Sequence, residues 1–151
     1  MHSVLFVCTA NVCRSPMAMA IFSSLIQGDS EEWRVESAGT WAIEGVPVSQ
    51  KTQAVLKEKG IDLSSYYSRP VSSELINSFD LILTMEQGQK EALAVEFPEA
   101  ATHIYSISEM IGLRYDVPDP MGKSLADFQD TYNEIERTLK LGIEKIRRLA
   151  Q

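Results

Sequence analysis

The sequence predicts a single α/β domain, a three-layer sandwich in which helices cover both faces of a central four-stranded parallel sheet. Strand candidates alternate with helix candidates along the 151 residues, an order typical of parallel sheets. The first apolar run, residues 4–7, is continuous rather than alternating, which indicates a strand buried on both faces. The length suits one domain spanning residues 1–151, and no linker or repeat divides it.

The individual elements follow from apolar spacing and from start and stop signals. After the first strand, Ser15 is expected to cap a helix whose first residue is Pro16. Gly60 stands where a left-handed residue would end the second helix. The remaining strands are expected at residues 33–36, 80–83 and 103–105. The remaining helices are expected at residues 50–59, 72–77, 86–97 and 125–146.

The composition excludes several classes of protein. Lys and Arg number 14 against 21 Asp and Glu, and the net charge of −7 argues against nucleic-acid and anionic-membrane binding. On charge alone, an anionic substrate is also disfavoured. The apolar runs are too short for a membrane span, and the N-terminus lacks the pattern of a signal peptide, so a cytoplasmic location is expected.

Cysteine usage points to chemistry rather than to structure. The two cysteines, Cys8 and Cys13, are too few for a disulfide framework. With only two histidines in the chain they also do not form a zinc motif. We therefore expect neither a metal nor a cofactor.

The segment after the first strand is the candidate active site. Five residues separate Cys8 from Arg14, and a turn of this kind can direct its backbone N–H groups inward as an anion cradle at a helix N-terminus. Arg14 offers a planar fork of donors for phosphate oxygens. The same groups and the Ser15 hydroxyl would favour the thiolate of Cys8. Asn11 tolerates the left-handed conformation that such a loop needs.

Residues 4–18 resemble the N-terminal signature of the low-molecular-weight protein tyrosine phosphatases, and residues 116–120 (Asp-Val-Pro-Asp-Pro) resemble the acid loop of that family. Residues 37–40 and 79–83 resemble further family segments. The resemblance implies a phosphate-binding loop after the first strand and a phosphorylated protein as substrate.

The resemblance also implies the roles of individual residues. Cys8 would attack phosphorus to form a cysteinyl-phosphate, Arg14 would bind the transferring phosphoryl group, and Asp119 would serve as general acid and then as base. The remaining substrate-binding residues implied are Thr9, Ala10, Asn11, Val12, Cys13, Ser15, Trp41 and Met121. No metal is needed for this chemistry, and a monomer or weak dimer is expected.

Two departures from the family pattern concern the substrate. Many tyrosine-specific members carry aromatic residues after the Asp-Pro pair, whereas Met121 and Gly122 follow it here, which is closer to the protein-arginine phosphatase branch. That branch carries a threonine where this chain has Val12, and the aliphatic side chain favours an aryl phosphate. Trp41 is expected to form one wall of the slot. Phosphotyrosine is therefore the first hypothesis and phosphoarginine the alternative.

Two other functions are less consistent with the sequence. A thioredoxin-coupled arsenate reductase needs further cysteines, and none follows Cys13. A non-catalytic phosphate-binding module would be expected to lose Cys8, Arg14 or Asp119, and all three are present. The resemblance also implies that Cys13 can form a reversible disulfide with Cys8, although a role as a buried packing thiol stays equally open.

Overall fold

Four parallel strands form the centre of the computed structural model. They are β1 (His2–Cys8), β2 (Trp33–Gly39), β3 (Leu81–Thr84) and β4 (Ile104–Ser106), in the order β2–β1–β3–β4. The structure describes residues 1–29 and 32–151 in full, and residues 30 and 31 without their side chains. The predicted four-stranded parallel sheet is therefore confirmed.

Helices cover both faces of this sheet. They are α1 (Arg14–Leu25), α2 (Gln50–Glu58), α3 (Ser73–Asn77), α4 (Gln87–Glu96) and α5 (Leu125–Leu149). Short 3₁₀ helices lie at Gln27–Glu32, Pro98–His103 and Ile107–Ile111. Within the described part of the chain, no helix combines the length and the apolar character needed to cross a membrane.

Two apolar clusters lie on opposite faces of the sheet, because successive side chains of a strand point to opposite sides. Phe6 of β1 packs in the cluster that contains Phe22 of α1 and Ile135 of α5. Its neighbour Val7 packs in the cluster that contains Leu93 of α4. The three-layer arrangement predicted from the sequence is therefore confirmed.

The strand order places a crevice at the carboxyl end of β1. The chain passes from β1 to β2 on one side and then returns to β3 on the other side of β1. In open parallel sheets such a reversal separates two neighbouring connections and forms the usual ligand site. Cys8 ends β1 and Thr84 ends β3 at this point.

Two local predictions differ from the structure. Ser15 is not the N-cap of α1, since the helix begins at Arg14 after Cys13; the Ser15 side chain is instead bonded within the active-site loop. The second strand is longer than the predicted residues 33–36, because β2 continues to Gly39, which pairs with Cys8. Gly39 has no side chain, which lets the end of β2 lie close to Thr9 and Asn11.

Candidate active site

The β1–α1 loop (residues 8–14) connects the end of β1 to the first turn of α1. Residues 11–14 are buried. Within the described part of the chain, the backbone N–H groups of residues 10–14 donate to no protein acceptor. Buried N–H groups normally have partners, so these donors, next to the N-terminus of α1, suit an oxyanion.

Asn11 holds the loop in its curled form. Its backbone is in the left-handed region, with φ of 59°, and its side chain is completely buried. The Nδ2 atom donates to Ser15 Oγ at 2.8 Å and to Ser37 Oγ at 2.9 Å. The Oδ1 atom accepts from the Arg69 backbone N–H at 3.0 Å and from the Tyr66 hydroxyl at 3.3 Å. Because a backbone N–H can only donate, Arg69 fixes which end of the amide faces Ser15.

This orientation sets the direction of the next hydrogen bond. Ser15 Oγ lies 3.0 Å from Cys8 Sγ and accepts a hydrogen bond from Asn11. The hydroxyl proton of Ser15 is therefore free to be donated to the sulfur, or to the Ala38 carbonyl at 3.3 Å. A thiolate can only accept, so the Ser15 hydroxyl is placed to donate to Cys8 Sγ whenever that sulfur carries a negative charge.

Arg14 is buried beside the loop, with only 2% of its side chain exposed. Its Nη1 atom donates to the carboxylate of Glu86 and, at 2.7 Å, to the carbonyl oxygen of Val117. Its Nη2 atom lies 3.9 Å from Asp119 Oδ2. The guanidinium therefore enters the site already held along one side by the protein.

Asp119 lies at the mouth of the site, with about half of its side chain exposed (53%). Its Oδ1 atom accepts a hydrogen bond from the Met121 backbone N–H at 3.0 Å. A proton on this carboxyl group therefore belongs on Oδ2, the oxygen that lies toward Arg14. This is the position required of an acid that acts on a group bound by Arg14.

A small pocket of about 50 Å³ joins these groups. The residues that line it are Cys8, Ala10, Val12, Cys13, Arg14, Asp119 and Met121. Asn11 and Ser15 lie behind it and are buried. The structure therefore brings most of the residues named from the sequence to one place.

Trp41 and Thr9 are placed differently from the pocket residues. Trp41 does not line the pocket; its side chain is 85% exposed, and its backbone N–H donates to the Thr9 carbonyl at 3.0 Å. The Thr9 hydroxyl accepts a hydrogen bond from Gln89 Nε2 at 3.0 Å. The part of Trp41 in substrate binding stays a prediction.

Cys13 differs from Cys8 in its surroundings, and both are free thiols. Cys13 Sγ lies 3.4 Å from Ser49 Oγ. Burial raises the pKa of the Cys13 thiol above its ordinary value, and hydrogen bonds with Ser49 and Thr52 offset only part of this effect. Cys13 is therefore a neutral thiol near neutral pH.

Sequence reasoning missed several residues that shape the site. A Cβ atom at Gly39 would lie 2.4 Å from the Thr9 carbonyl oxygen, so the close approach of β2 to the loop needs a glycine. Glu86 and Gln89 reach the loop from the segment after β3. Polar residues directly after a parallel strand at a reversal of strand order are a signal that could have indicated Glu86.

Comparisons with known proteins agree with this geometry. The family model for low molecular weight phosphotyrosine protein phosphatase matches residues 3–151. A relative, "Probable low molecular weight protein-tyrosine-phosphatase EpsP" of Ralstonia solanacearum, is 33% identical over 147 residues and covers 97% of each chain.

Two solved structures are also similar. The low molecular weight protein tyrosine phosphatase of T. tengcongensis has a TM-score of 0.91 and 39% identity, over 96% of this chain and 99% of that one. The YwlE arginine phosphatase, as a mutant with a phosphorylated active-site serine, has a TM-score of 0.91 and 32% identity, over 97% and 96% of the two chains.

The contrast between the two thiols predicts selective alkylation. Near neutral pH, iodoacetamide should modify Cys8 well before Cys13, because burial raises the pKa of Cys13 and only thiolates react rapidly. Peptide mapping by mass spectrometry measures the two rates. Cys13→Ser should retain the fast phase, Cys8→Ser should lose it, and equal rates for the two thiols would contradict this picture.

Proposed function

The chain belongs to the low molecular weight phosphotyrosine protein phosphatase family, and on this basis we propose that it hydrolyses phosphotyrosine in proteins through a cysteinyl-phosphate intermediate. The observation that carries the proposal is one pocket lined by Cys8, Arg14 and Asp119. Asp119 lies far from the other two residues along the chain. A nucleophile, an anion-binding cation and an acid within one small pocket are the groups that metal-free phosphoryl transfer needs.

In the first step, the Cys8 thiolate attacks phosphorus. The S–P bond forms as the bond between phosphorus and the tyrosyl oxygen breaks, and Asp119 gives its Oδ2 proton to the leaving oxygen. Protonation matters because a phenolate is a poor leaving group unless it is neutralised as the bond breaks. The Ser15 hydroxyl, 3.0 Å from Sγ, supports the thiolate before the attack.

In the second step, Asp119 acts as a base. Its carboxylate takes a proton from a water molecule while the water oxygen attacks phosphorus and the S–P bond breaks. Inorganic phosphate leaves, the Cys8 thiolate is restored, and Asp119 holds the proton for the next cycle. The Asp119 carboxyl group is well placed for this role because it lies at the open mouth of the site.

Arg14 and the backbone N–H groups of residues 10–14 stabilise the transferring group in both steps. Charge on the equatorial oxygens of phosphorus meets donors that are already fixed, so little reorganisation is needed during the reaction. Removal of one such donor commonly slows an enzyme by about 100- to 1,000-fold. The buried Arg14 and the constrained loop are therefore the main source of rate enhancement in this proposal.

Phosphoarginine is the second candidate substrate. The likeness to an arginine phosphatase structure favours it. Met121 at the pocket wall favours it as well, because an aromatic residue in this position, which would help to enclose the phenyl ring of phosphotyrosine, is missing. Val12, whose aliphatic side chain lines the same pocket, favours the aryl phosphate. We therefore keep phosphotyrosine as the first hypothesis.

The proposal extends to the domain organisation, the partners and the cellular compartment of the protein. Residues 1–151, of which the family model matches residues 3–151, would act as one catalytic domain on a phosphorylated protein, as a monomer or weak dimer. The net charge of −7 is unfavourable for nucleic-acid and anionic-membrane partners. Two free thiols suit a reducing compartment such as the cytoplasm.

Two variants test the chemical roles with an aryl phosphate. Cys8→Ser should lower kcat by roughly 10⁴-fold or more, since an un-ionised serine hydroxyl is a much weaker nucleophile than a thiolate and its alkoxide leaves phosphorus far less readily. Asp119→Asn should lower kcat by about 100- to 10,000-fold, most strongly with poor leaving groups.

Matched controls come from the same segments. Cys13→Ser should retain turnover. Asp116→Asn should do so as well, because the Asp116 side chain accepts a hydrogen bond from the Gln87 N–H and an asparagine oxygen can replace it. Equal rates for Cys8→Ser and the unaltered protein would overturn the proposal.

A side-by-side assay separates the two substrate classes. The unaltered protein should hydrolyse phosphotyrosine peptides faster than phosphoarginine peptides, and Val12→Thr should shift the ratio toward phosphoarginine because the new hydroxyl can orient a guanidinium-linked phosphate. Release of inorganic phosphate gives kcat/KM for each peptide. A faster reaction on phosphoarginine, or an unchanged ratio in Val12→Thr, would contradict the preference assigned to Val12.

A further inference from the structure

One short segment contacts both ends of the β1–α1 loop. This segment, the β3–α4 turn (residues 85–89), follows β3 and starts α4. At one end of the loop Gln89 binds the hydroxyl of Thr9, and at the other end Glu86 binds Arg14. The sequence did not predict either Glu86 or Gln89 as a residue of the site.

Gln89 is only 6% exposed, and its amide makes four hydrogen bonds. Oε1 accepts from the backbone N–H groups of Met85, at 3.1 Å, and Glu86, at 3.0 Å. Nε2 donates to Thr9 Oγ1 at 3.0 Å and to Glu86 Oε2 at 3.3 Å. The two backbone donors fix the amide orientation, so the Nε2 end always faces the carboxylate that holds Arg14.

The guanidinium of Arg14 has two edges, Nη1–Nη2 and Nε–Nη2, that could each bind an oxyanion through two N–H groups. Both protons of Nη1 are used, one by Glu86 and one by the Val117 carbonyl. Among the residues that the structure describes, no protein acceptor is hydrogen-bonded to Nε or Nη2. The Nε–Nη2 edge, with its two parallel N–H groups, is therefore the one that remains for two phosphate oxygens.

We propose that Glu86 and Gln89 are positioning residues for the reaction, which together hold Nη1 and so present the Nε–Nη2 edge of Arg14 to the phosphoryl group. This inference rests on the proposed phosphate chemistry of the site. Glu86 supplies the acceptor, and Gln89 fixes Glu86 and ties it to Thr9 of the loop. Neither residue needs to touch the substrate.

A purely structural role makes the opposite prediction for one variant. Glu86 and Gln89 also form a capping box at the start of α4, and Glu86 is a counter-ion for a buried arginine. If these were the only roles, Glu86→Met would remove a negative charge near an anion site and strengthen phosphate binding by Coulomb attraction. If Glu86 orients Arg14, the same variant weakens phosphate binding despite the favourable change in charge.

The experiment measures how inorganic phosphate protects Cys8 from iodoacetamide. The concentration of phosphate that halves the alkylation rate should rise about tenfold in Glu86→Met and in Gln89→Met, since each removes the acceptor or the tie that holds Nη1 and a small misplacement of a binding group has effects of this size or larger. Glu91→Gln removes the same charge from an exposed position on α4 and should leave protection unchanged.

A second comparison tests whether Glu86 acts through Arg14. In Arg14→Lys there is no guanidinium edge to select, so adding Glu86→Met should no longer weaken phosphate protection. Such non-additivity is the signature of two residues acting as one unit. Thermal unfolding of each variant verifies that the compared proteins are folded, and Gln89→Met provides the test if Glu86→Met does not fold.

The outcomes are separable from those of the proposed function. Equal or tighter phosphate protection in Glu86→Met, or unchanged protection in Gln89→Met, would overturn the positioning role even if the protein hydrolyses aryl phosphates. If the unaltered protein shows no turnover, the proposed phosphatase activity fails. Weaker phosphate protection in Glu86→Met and Gln89→Met than in the unaltered protein would still support the positioning role.

Discussion

The side-chain amide of Asn11 joins three separate segments of the chain behind the β1–α1 loop. It binds Ser15 in α1, Ser37 in β2, and the backbone of Arg69 in the connection between α2 and α3. A non-glycine residue at φ of 59° costs roughly 1–2 kcal/mol relative to ordinary backbone, and these buried hydrogen bonds offset that cost. The position of Cys8 at the base of the curled loop, and the freedom of the Ser15 hydroxyl to donate to its sulfur, both depend on this one amide.

Local donors, rather than net charge, decide which ligand this protein binds. The charge of −7 taken alone disfavours an anionic substrate, yet members of this family act on phosphorylated substrates. Charges on the surface are screened within about 8 Å at physiological salt. The N–H groups of residues 10–14 and the buried Arg14 act at contact distance, even with Glu86 beside the arginine.

Much of the fold and the family could be predicted because the signals are local. Continuous apolar segments, the Gly60 helix end and the Cys8–Arg14 spacing each lie within a short stretch of sequence, and the four-stranded sheet and the family were both confirmed. The predicted Ser15 cap was wrong because the helix begins one residue earlier, at Arg14, and the Ser15 hydroxyl is engaged by Asn11 and Cys8 of the loop. The loop is also contacted by residues more than 50 positions away along the chain, namely Glu86, Gln89 and Arg69. No spacing rule within the loop indicates such partners.

The central claim is that the constrained loop makes Cys8 a nucleophile that carries the phosphoryl group. Rapid acid quenching during turnover of an aryl phosphate, followed by mass spectrometry of the N-terminal peptide, measures this most directly. The account predicts the added mass of one HPO₃ group on Cys8 in the unaltered protein, and no such adduct on Cys13. A protein that turns over substrate without any phosphorylated Cys8, or with the adduct on another residue, would contradict it.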